Sequence, residues 1–293
     1  MPQALERFVP ALFVVIWSTG WIVAKYVAVT HADPITFLAL RYFSAGVVIA
    51  CYAFIARASW PATADEWKHA LISGIFLHAI YLGGVWWAIA QGLPAGISAL
   101  IAAVQPLLTA LFAGRLLGEK ISRTNAVGVL IGFLGVLLVL APKYTGVAKE
   151  DILKLSVPIL VNLVAALSVT IGTFYQKRYL ATGDLRTTTA VQYLGALIVT
   201  LPAAFFLEPM YIPMVIETLY GLLWSVLVLS IGAISLMLVM IRRGAVSKVA
   251  SLNYMVPPTA ALQAWLMFGE TLVQLQIAGM VLTALGVYLA TRK

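Results

Sequence analysis

Long apolar runs, separated by short polar gaps, are the dominant pattern along the chain. A helix needs about 20 mostly apolar residues to cross the hydrocarbon of a bilayer. Ten runs have roughly this length, and each predicts a membrane-spanning helix. They lie near residues 8–28, 34–56, 69–90, 95–116, 124–142, 155–177, 187–207, 216–240, 246–268 and 273–291. Because the runs are continuous rather than alternating, they do not predict an outer-membrane barrel.

The composition supports a polytopic helical membrane protein. Of the 293 residues, 62% are hydrophobic and 10% are charged, whereas a soluble domain has about 45–50% apolar and about 25% charged residues. This composition excludes a disordered chain, a secreted disulfide scaffold and a cytosolic enzyme. The single cysteine, Cys51, cannot form an internal disulfide.

Basic residues are concentrated in alternate gaps between the apolar runs. If the N-terminus is cytoplasmic, the inside segments carry most of the 19 Lys and Arg residues: Arg7, Arg57, Lys68, Arg115, Lys120, Arg123, Lys177, Arg178, Arg186, Arg242, Arg243, Lys248, Arg292 and Lys293. The outside loops carry only Lys143, Lys149 and Lys154. The positive-inside rule therefore places both termini in the cytoplasm. The net charge of +8 is explained by topology, and we expect no nucleic-acid partner.

The sequence repeats itself at an offset of 151 residues. The matching positions are Asp33 and Asp184, Tyr42 and Tyr193, Pro106 and Pro257, Gly118-Glu119 and Gly269-Glu270, Gly128 and Gly279, and Gly135 and Gly286. Each copy holds five spans, so the copies cross the membrane in opposite directions. The predicted fold is therefore all-α, with ten transmembrane helices in two inverted five-helix repeats, 1–150 and 151–293. Secondary transporters are typically built this way, with the substrate site between the halves.

Several motifs resemble the EamA-type repeat of the drug/metabolite transporter superfamily. They are Ile16-Trp17-Ser18-Thr19-Gly20-Trp21, Gly96-Ile97-Ser98-Ala99-Leu100, Gln105-Pro106-Leu107 and Leu117-Gly118-Glu119-Lys120, with the repeated glycines. Within the family the chain is most similar to the aromatic amino-acid exporter branch. The resemblance implies a ten-helix carrier that exports amino acids and other metabolites. The second repeat has Ser168-Val169-Thr170 in place of the first tryptophan motif, so the halves are not chemically equivalent.

The acidic residues indicate a carrier without a mid-membrane carboxylate. All 11 Asp and Glu residues lie at span ends or in loops, whereas gradient-driven carriers commonly place a carboxylate inside the membrane. We therefore expect downhill movement or exchange. Metalloprotease, cysteine-cluster and nucleotide-binding motifs are absent from the sequence, so we expect neither an enzyme nor a cofactor or metal. A broad drug or nucleotide-precursor carrier is an alternative, and a non-transporting membrane enzyme or scaffold is another.

Two pairs of residues predict part of a substrate site. Trp17 and Trp21 lie one turn apart in the middle of the first span, where their rings could hold a flat side chain by stacking or cation–π contact. Helix–helix packing is the alternative role. His78 lies in the middle of the third span, and Tyr81 follows at i+3, which predicts one shared face. We expect a buried histidine there to contact substrate or to accept a proton, and the alternative is a hydrogen bond to a neighbouring helix.

Prolines in the fourth and ninth spans are expected to leave nearby backbone carbonyls without their usual helical hydrogen bonds. Gln105 lies at mid-depth and precedes Pro106. Pro257 and its neighbour free the backbone carbonyls of Asn253 and Tyr254, because proline cannot donate a hydrogen bond four residues back. In a wet cavity such carbonyls hold an ammonium group. A tolerated kink is the alternative interpretation.

Arg41 lies about 10 Å along the second span. We expect its side chain to reach the outer surface or to pair with Asp33. The alternative is a bidentate contact with a substrate carboxylate.

These features together predict a monomeric carrier in the cytoplasmic membrane. The expected partners are the lipid bilayer and a small organic substrate, moved outward by alternating access between the repeats. Candidate substrate-binding residues are Trp17, Trp21, His78, Tyr81, Gln105, Asn253 and Tyr254.

The charge distribution yields a testable topology. Reporter fusions after residue 60 and after residue 293 should report the cytoplasm, and a fusion after Tyr211 should report the outside. A C-terminal fusion that reports the outside would mean an odd number of spans, which is incompatible with two inverted five-helix repeats.

Overall fold

The computed structural model describes residues 8–93, 98, 101–102, 104–105, 108–109, 112, 122–141, 155–243, 251–268 and 273–291. In this part of the chain the regular structure is helical. The helices are α1 (Val9–Ala28), α2 (Pro34–Ile55), α3 (Ala64–Ala90), α4 (Arg123–Leu140), α5 (Ser156–Tyr179), α6 (Leu185–Leu207), α7 (Ile216–Leu223, Trp224–Ala233 and Ile234–Arg243), α8 (Leu252–Met255 and Val256–Phe268) and α9 (Gln274–Thr291).

Five of the described helices, namely α2, α3, α5, α6 and α7, are long and apolar enough to cross a membrane. α1, α4 and α9 contain shorter apolar stretches. The all-α membrane fold is thus confirmed, while the count of ten spans stays a prediction. Most of the fourth predicted span, including Pro106, and the two Gly-Glu motifs lie outside the described residues.

The start of α3 differs from the predicted start of the third span. The helix begins at Ala64 rather than near residue 69. The Thr63 hydroxyl accepts a hydrogen bond from the Glu66 backbone N–H at 3.2 Å, and the Glu66 carboxylate accepts one from the Ala62 N–H at 2.7 Å. This capping supports a first polar turn, which hydropathy alone assigns to a loop.

Glycines bring α4 and α9 into backbone contact. A Cβ atom on Gly128 would collide with backbone atoms of Gly286 and Ala290. One on Gly135 would collide with Gly279 and Thr283. Because the earlier glycine of α4 meets the later glycine of α9, the two helices are antiparallel. They occupy equivalent places in the two repeats, so this packing has the geometry of an inverted repeat.

The helices α2 and α6 are also equivalent and antiparallel. The rings of Tyr42 and Tyr193, which are 151 positions apart, stack with centroids 6.0 Å apart and an interplanar angle of 19°. At one end of the pair, the Asp33 N–H donates to the Tyr211 carbonyl at 2.9 Å. At the other end, the Thr187 hydroxyl donates to the Ser59 carbonyl at 2.8 Å. Residues that stack on their own counterparts lie near the axis that relates the repeats.

Both repeats interrupt their third helix with a π-helical stretch. The stretches are Ile75–Ile80 in α3 and Trp224–Ala233 in α7. A π-helical turn disturbs the regular pairing of backbone carbonyls. In α3 the Tyr42 hydroxyl donates to the His78 carbonyl at 3.0 Å, and in α7 the Tyr193 hydroxyl donates to the Ser230 carbonyl at 2.6 Å. The tyrosines therefore hold both interruptions in nearly equivalent ways.

The contact between α4 and α9 predicts a strong position dependence for glycine substitutions. Gly135→Ala should lower the melting temperature, because the new methyl group meets backbone atoms of α9 and overpacking typically costs about 1–3 kcal/mol. Gly83→Ala is the matched control. A Cβ atom on Gly83 meets nothing within 4 Å, so the higher helix propensity of alanine should maintain or raise stability by about 0.5–1 kcal/mol. Thermal unfolding of the detergent-purified variants measures both effects, and equal melting temperatures would contradict this packing.

Candidate functional site

A small cavity lies where α1, α2, α3 and α7 meet. Its volume is about 40 Å³, which holds a few water molecules and is far below the roughly 300 Å³ of a typical ligand pocket. Its principal lining residues are Trp17, Gly20, Trp21, Arg41, Tyr81 and Trp86. Three tryptophans, a tyrosine and an arginine thus converge on one space between the two repeats.

A larger cavity adjoins the central one. It measures about 450 Å³ and is lined at its rim by His31, Asp33, Gln91 and Glu208. These residues belong to the gaps that the charge distribution assigns to the outside, and we call this cavity the outer vestibule. Ala24 and Trp86 line both cavities, so the two cavities adjoin at these residues.

One wall of the outer vestibule is a contact between the repeats. The Glu208 carboxylate accepts hydrogen bonds from the backbone N–H groups of Ile35, at 2.9 Å, and Thr36, at 2.7 Å. It also accepts one from the Thr36 hydroxyl at 2.7 Å. A carboxylate is favourable at a helix N-terminus because it satisfies free N–H groups and complements the helix dipole. Glu208 therefore fixes the start of α2 against the end of α6.

Arg41 does not follow the expectation from sequence. Its side chain is only 3% exposed, and its Nε atom donates to the Ser230 hydroxyl of α7 at 2.7 Å. The Asp33 carboxylate instead accepts the Tyr211 backbone N–H at 2.7 Å. The predicted surface position and Asp33 pairing are wrong, because α6 and α7 of the second repeat cover this face of α2. Sequence placed Arg41 within a span but could not show which neighbour would cover it.

His78 is absent from the lining of the central cavity. It is 2% exposed, and its ring centroid is 5.0 Å from that of Tyr193 and 6.0 Å from that of Tyr42. Both ring nitrogens are buried without a hydrogen-bond partner in the described part of the chain. Tyr81 lines the cavity although it is only three residues later. His78 lies in the π-helical stretch, where an α-helical i+3 face no longer applies.

The remaining candidates occupy other places. The Asn253 amide donates to the Gln105 side-chain carbonyl at 2.8 Å, which joins the fourth predicted span to α8 of the other repeat. Tyr254 is fully buried in an apolar cluster with Val136 and Val287. Trp17, Trp21 and Tyr81 therefore share one cavity, whereas His78, Gln105, Asn253 and Tyr254 are absent from its lining. That any of the seven contacts substrate stays a prediction.

The sequence did not single out Trp86 as a cavity residue, and it favoured a surface position for Arg41, which also lines the cavity. Trp86 lines both cavities, and its ring stacks on Phe37 with centroids 5.4 Å apart. In the sequence it is one of two adjacent tryptophans near the end of a span, a position typical of membrane-interface residues. The position of Arg41 in the sequence is itself unusual, since Lys25 and Arg41 are the only basic residues that fall within predicted spans rather than at their ends or in the gaps between them.

Known proteins share both the sequence pattern and the fold. The sequence profile of the EamA-like transporter family matches residues 8–141 and 156–292. A protein of Salmonella typhimurium named probable amino-acid metabolite efflux pump is 25% identical over 295 residues, covering 97% of this chain and 94% of that protein. An uncharacterized inner membrane transporter of Escherichia coli K12 is 30% identical over 124 residues, which are 42% of this chain and 40% of that protein.

A solved crystal structure is similar over nearly the whole chain. The TM-score is 0.80 at 19% sequence identity, and the match covers 98% of this chain and 97% of that structure. At this identity the likeness shows a shared fold.

The outer vestibule predicts which buried positions react with a thiol reagent. In a Cys51→Ala background, Ala24→Cys should be modified by a membrane-impermeant maleimide added outside intact cells, because Ala24 lines the outer vestibule. Ala45→Cys is the control, since Ala45 is 0% exposed and lines neither cavity. Modification of both positions or of neither would contradict the described opening.

Proposed function

The chain belongs to the EamA-like transporter family, and from this premise we propose that it is a carrier that exports amino acids, aromatic and other neutral ones, and related small metabolites. The observation that carries the proposal is the aromatic cavity between the repeats, which adjoins a vestibule at one end of the bundle. The name of the Salmonella relative, a probable amino-acid metabolite efflux pump, supports the same substrate class.

The cavity lining favours substrates with a flat or apolar side chain. Trp17 and Trp86 are held by stacking on Phe13 and Phe37, each with ring centroids 5.4 Å apart. Aromatic walls that are fixed in this way lose little conformational entropy when a ring binds. Offset or edge-on contacts with a substrate ring add about 0.5–1.5 kcal/mol beyond the buried area.

The sizes of the two cavities support alternating access. The central cavity of about 40 Å³ cannot hold an amino acid, while the adjoining vestibule of about 450 Å³ can. Binding in the central cavity therefore requires this cavity to enlarge, which would happen if α1 and α3 moved apart at Ala24 and Trp86. In an inverted repeat the opposite state follows when the two halves exchange conformations. The vestibule would then close and an opening would form at the cytoplasmic end.

The remaining features of the proposed carrier follow from its topology. Its location is the cytoplasmic membrane, in line with the Escherichia coli relative that is named an inner membrane transporter, with both termini in the cytoplasm. Since both repeats belong to one chain, a monomer contains the complete pathway. Transport needs no cofactor in this scheme.

Transport in liposomes tests the proposed function. Purified protein in sealed vesicles should move labelled L-phenylalanine down its own gradient, with no imposed proton or sodium gradient, because every Asp and Glu lies at a span end or in a loop. Transport that starts only when a proton gradient is imposed would contradict the downhill mechanism. The absence of flux for the whole panel of neutral and aromatic amino acids would contradict the export function itself.

Two tryptophan variants, one inside the central cavity and one outside it, should differ in substrate affinity. Trp17→Ala should reduce apparent affinity for L-phenylalanine about three- to tenfold, as expected for the loss of one aromatic contact. Trp60→Ala should change it much less, because Trp60 stacks on Trp67 outside both cavities. Concentration-dependent uptake by monodisperse variants measures the difference. Equal effects of the two changes would place the substrate away from α1.

A further inference from the structure

We propose that Arg41 is the anion-binding residue of the central cavity, so that transported molecules must carry a carboxylate and the corresponding decarboxylated amines are excluded. This inference rests on the proposed function and names its substrate class by one chemical group. It rests on Arg41, a residue that lines a cavity between the repeats and is 3% exposed.

The hydrogen bonds of Arg41 leave most of its donors free. A guanidinium has five N–H donors. Nε donates to the Ser230 hydroxyl at 2.7 Å, and this is its one hydrogen bond within the described part of the structure. The hydroxyls of the adjacent Tyr42 and of Tyr193 donate to backbone carbonyls. The terminal nitrogens of Arg41 therefore remain available to a molecule in the cavity.

The chain offers no anion for this charge among the residues that the structure describes. No carboxylate there forms an ion pair with Arg41, and the nearest in sequence, Asp33, is bonded to Tyr211. All 11 Asp and Glu residues lie at span ends or in loops. An unpaired charge inside a membrane protein is costly and usually marks a binding or transport pathway. The anion that completes the Arg41 site would therefore come from outside the chain.

The equivalent position in the second repeat holds a neutral residue. The counterpart of Arg41 at the 151-residue offset is Gln192, which is also fully buried. Its amide donates to the Ser73 hydroxyl at 3.0 Å and to the Gln176 side-chain carbonyl at 3.1 Å. The N–H groups of this neutral amide thus have protein partners on α6, although its oxygen has none among the described residues. The charge appears only in the repeat where the equivalent side chain lines the central cavity.

The chemistry of the cavity then fixes the substrate class. A guanidinium binds a carboxylate through two parallel N–H···O bonds, which gives both strength and orientation. The aromatic walls formed by Trp17, Trp21 and Trp86 hold the remainder of the molecule. The cavity has no carboxylate in its lining, so an ammonium group gains little there and a cation is repelled by Arg41.

A competition series on the unmodified protein tests this assignment. Labelled L-phenylalanine uptake into liposomes should be inhibited by 3-phenylpropionate, which keeps the carboxylate and lacks the ammonium. Phenethylamine, which keeps the ammonium and lacks the carboxylate, should inhibit at least tenfold more weakly. Equal inhibition by the two compounds, or stronger inhibition by the amine, would overturn the inference while leaving amino-acid export intact. If L-phenylalanine and the other amino acids show no uptake, it is the proposed function that fails.

Substitutions identify the residue responsible. Arg41→Met should reduce L-phenylalanine affinity about ten- to a hundredfold, the usual effect of losing a charge-assisted hydrogen bond, and should abolish the preference for 3-phenylpropionate. Arg41→Lys should retain that preference with weaker affinity, because the positive charge remains but the bidentate geometry is lost. Gln192→Met is the matched control in the other repeat and should retain the preference. If Arg41→Met is monodisperse and keeps the preference, Arg41 is not the anion site.

Discussion

Hydrocarbon offers no hydrogen bonds, and the organisation of this protein follows from that constraint. Inside a bilayer each backbone or side-chain polar group must find a partner within the protein. The described residues largely meet this requirement. The Glu208 carboxylate accepts hydrogen bonds from N–H groups at the start of α2, and the Tyr42 and Tyr193 hydroxyls donate to carbonyls within the two π-helical stretches. The buried polar groups left without partners among the described residues include both ring nitrogens of His78 and the side chain of Asn162. It is Arg41, however, that lines the central cavity, where we propose that substrate binds.

The two repeats share the same helix packing, but several equivalent positions hold residues of different chemistry. The stacked pair of Tyr42 and Tyr193 and the glycine contacts of α4 and α9 each join equivalent positions of the two halves. Arg41 and Gln192 occupy equivalent positions but differ in charge. His78 and Leu229 also correspond, yet it is Leu229 that lines the cavity. The helix packing is thus nearly symmetric, whereas the residues that line the central cavity are not.

Much of the fold could be predicted from sequence because it depends on periodicities and on total hydrophobicity. Span length, the 151-residue repeat and the charge distribution are properties of the chain alone. The positions of individual side chains are not, because helices that are apolar on all sides carry little information about which face meets which neighbour. Arg41 was expected at the surface for this reason. His78 and Tyr81 were expected on one face, and the π-helical stretch in α3 separates them. Gln105 and Asn253 were expected to face substrate, and in this structure they are hydrogen bonded to each other.

A structure with L-phenylalanine bound is the most direct test for a single binding place between the repeats. We expect the substrate carboxylate within hydrogen-bond distance of the Arg41 guanidinium, with the substrate ring against Trp17, Trp21 or Trp86 and the central cavity enlarged to hold it. A substrate bound instead between Gln105 and Asn253, with Arg41 still bonded only to Ser230, would contradict the account.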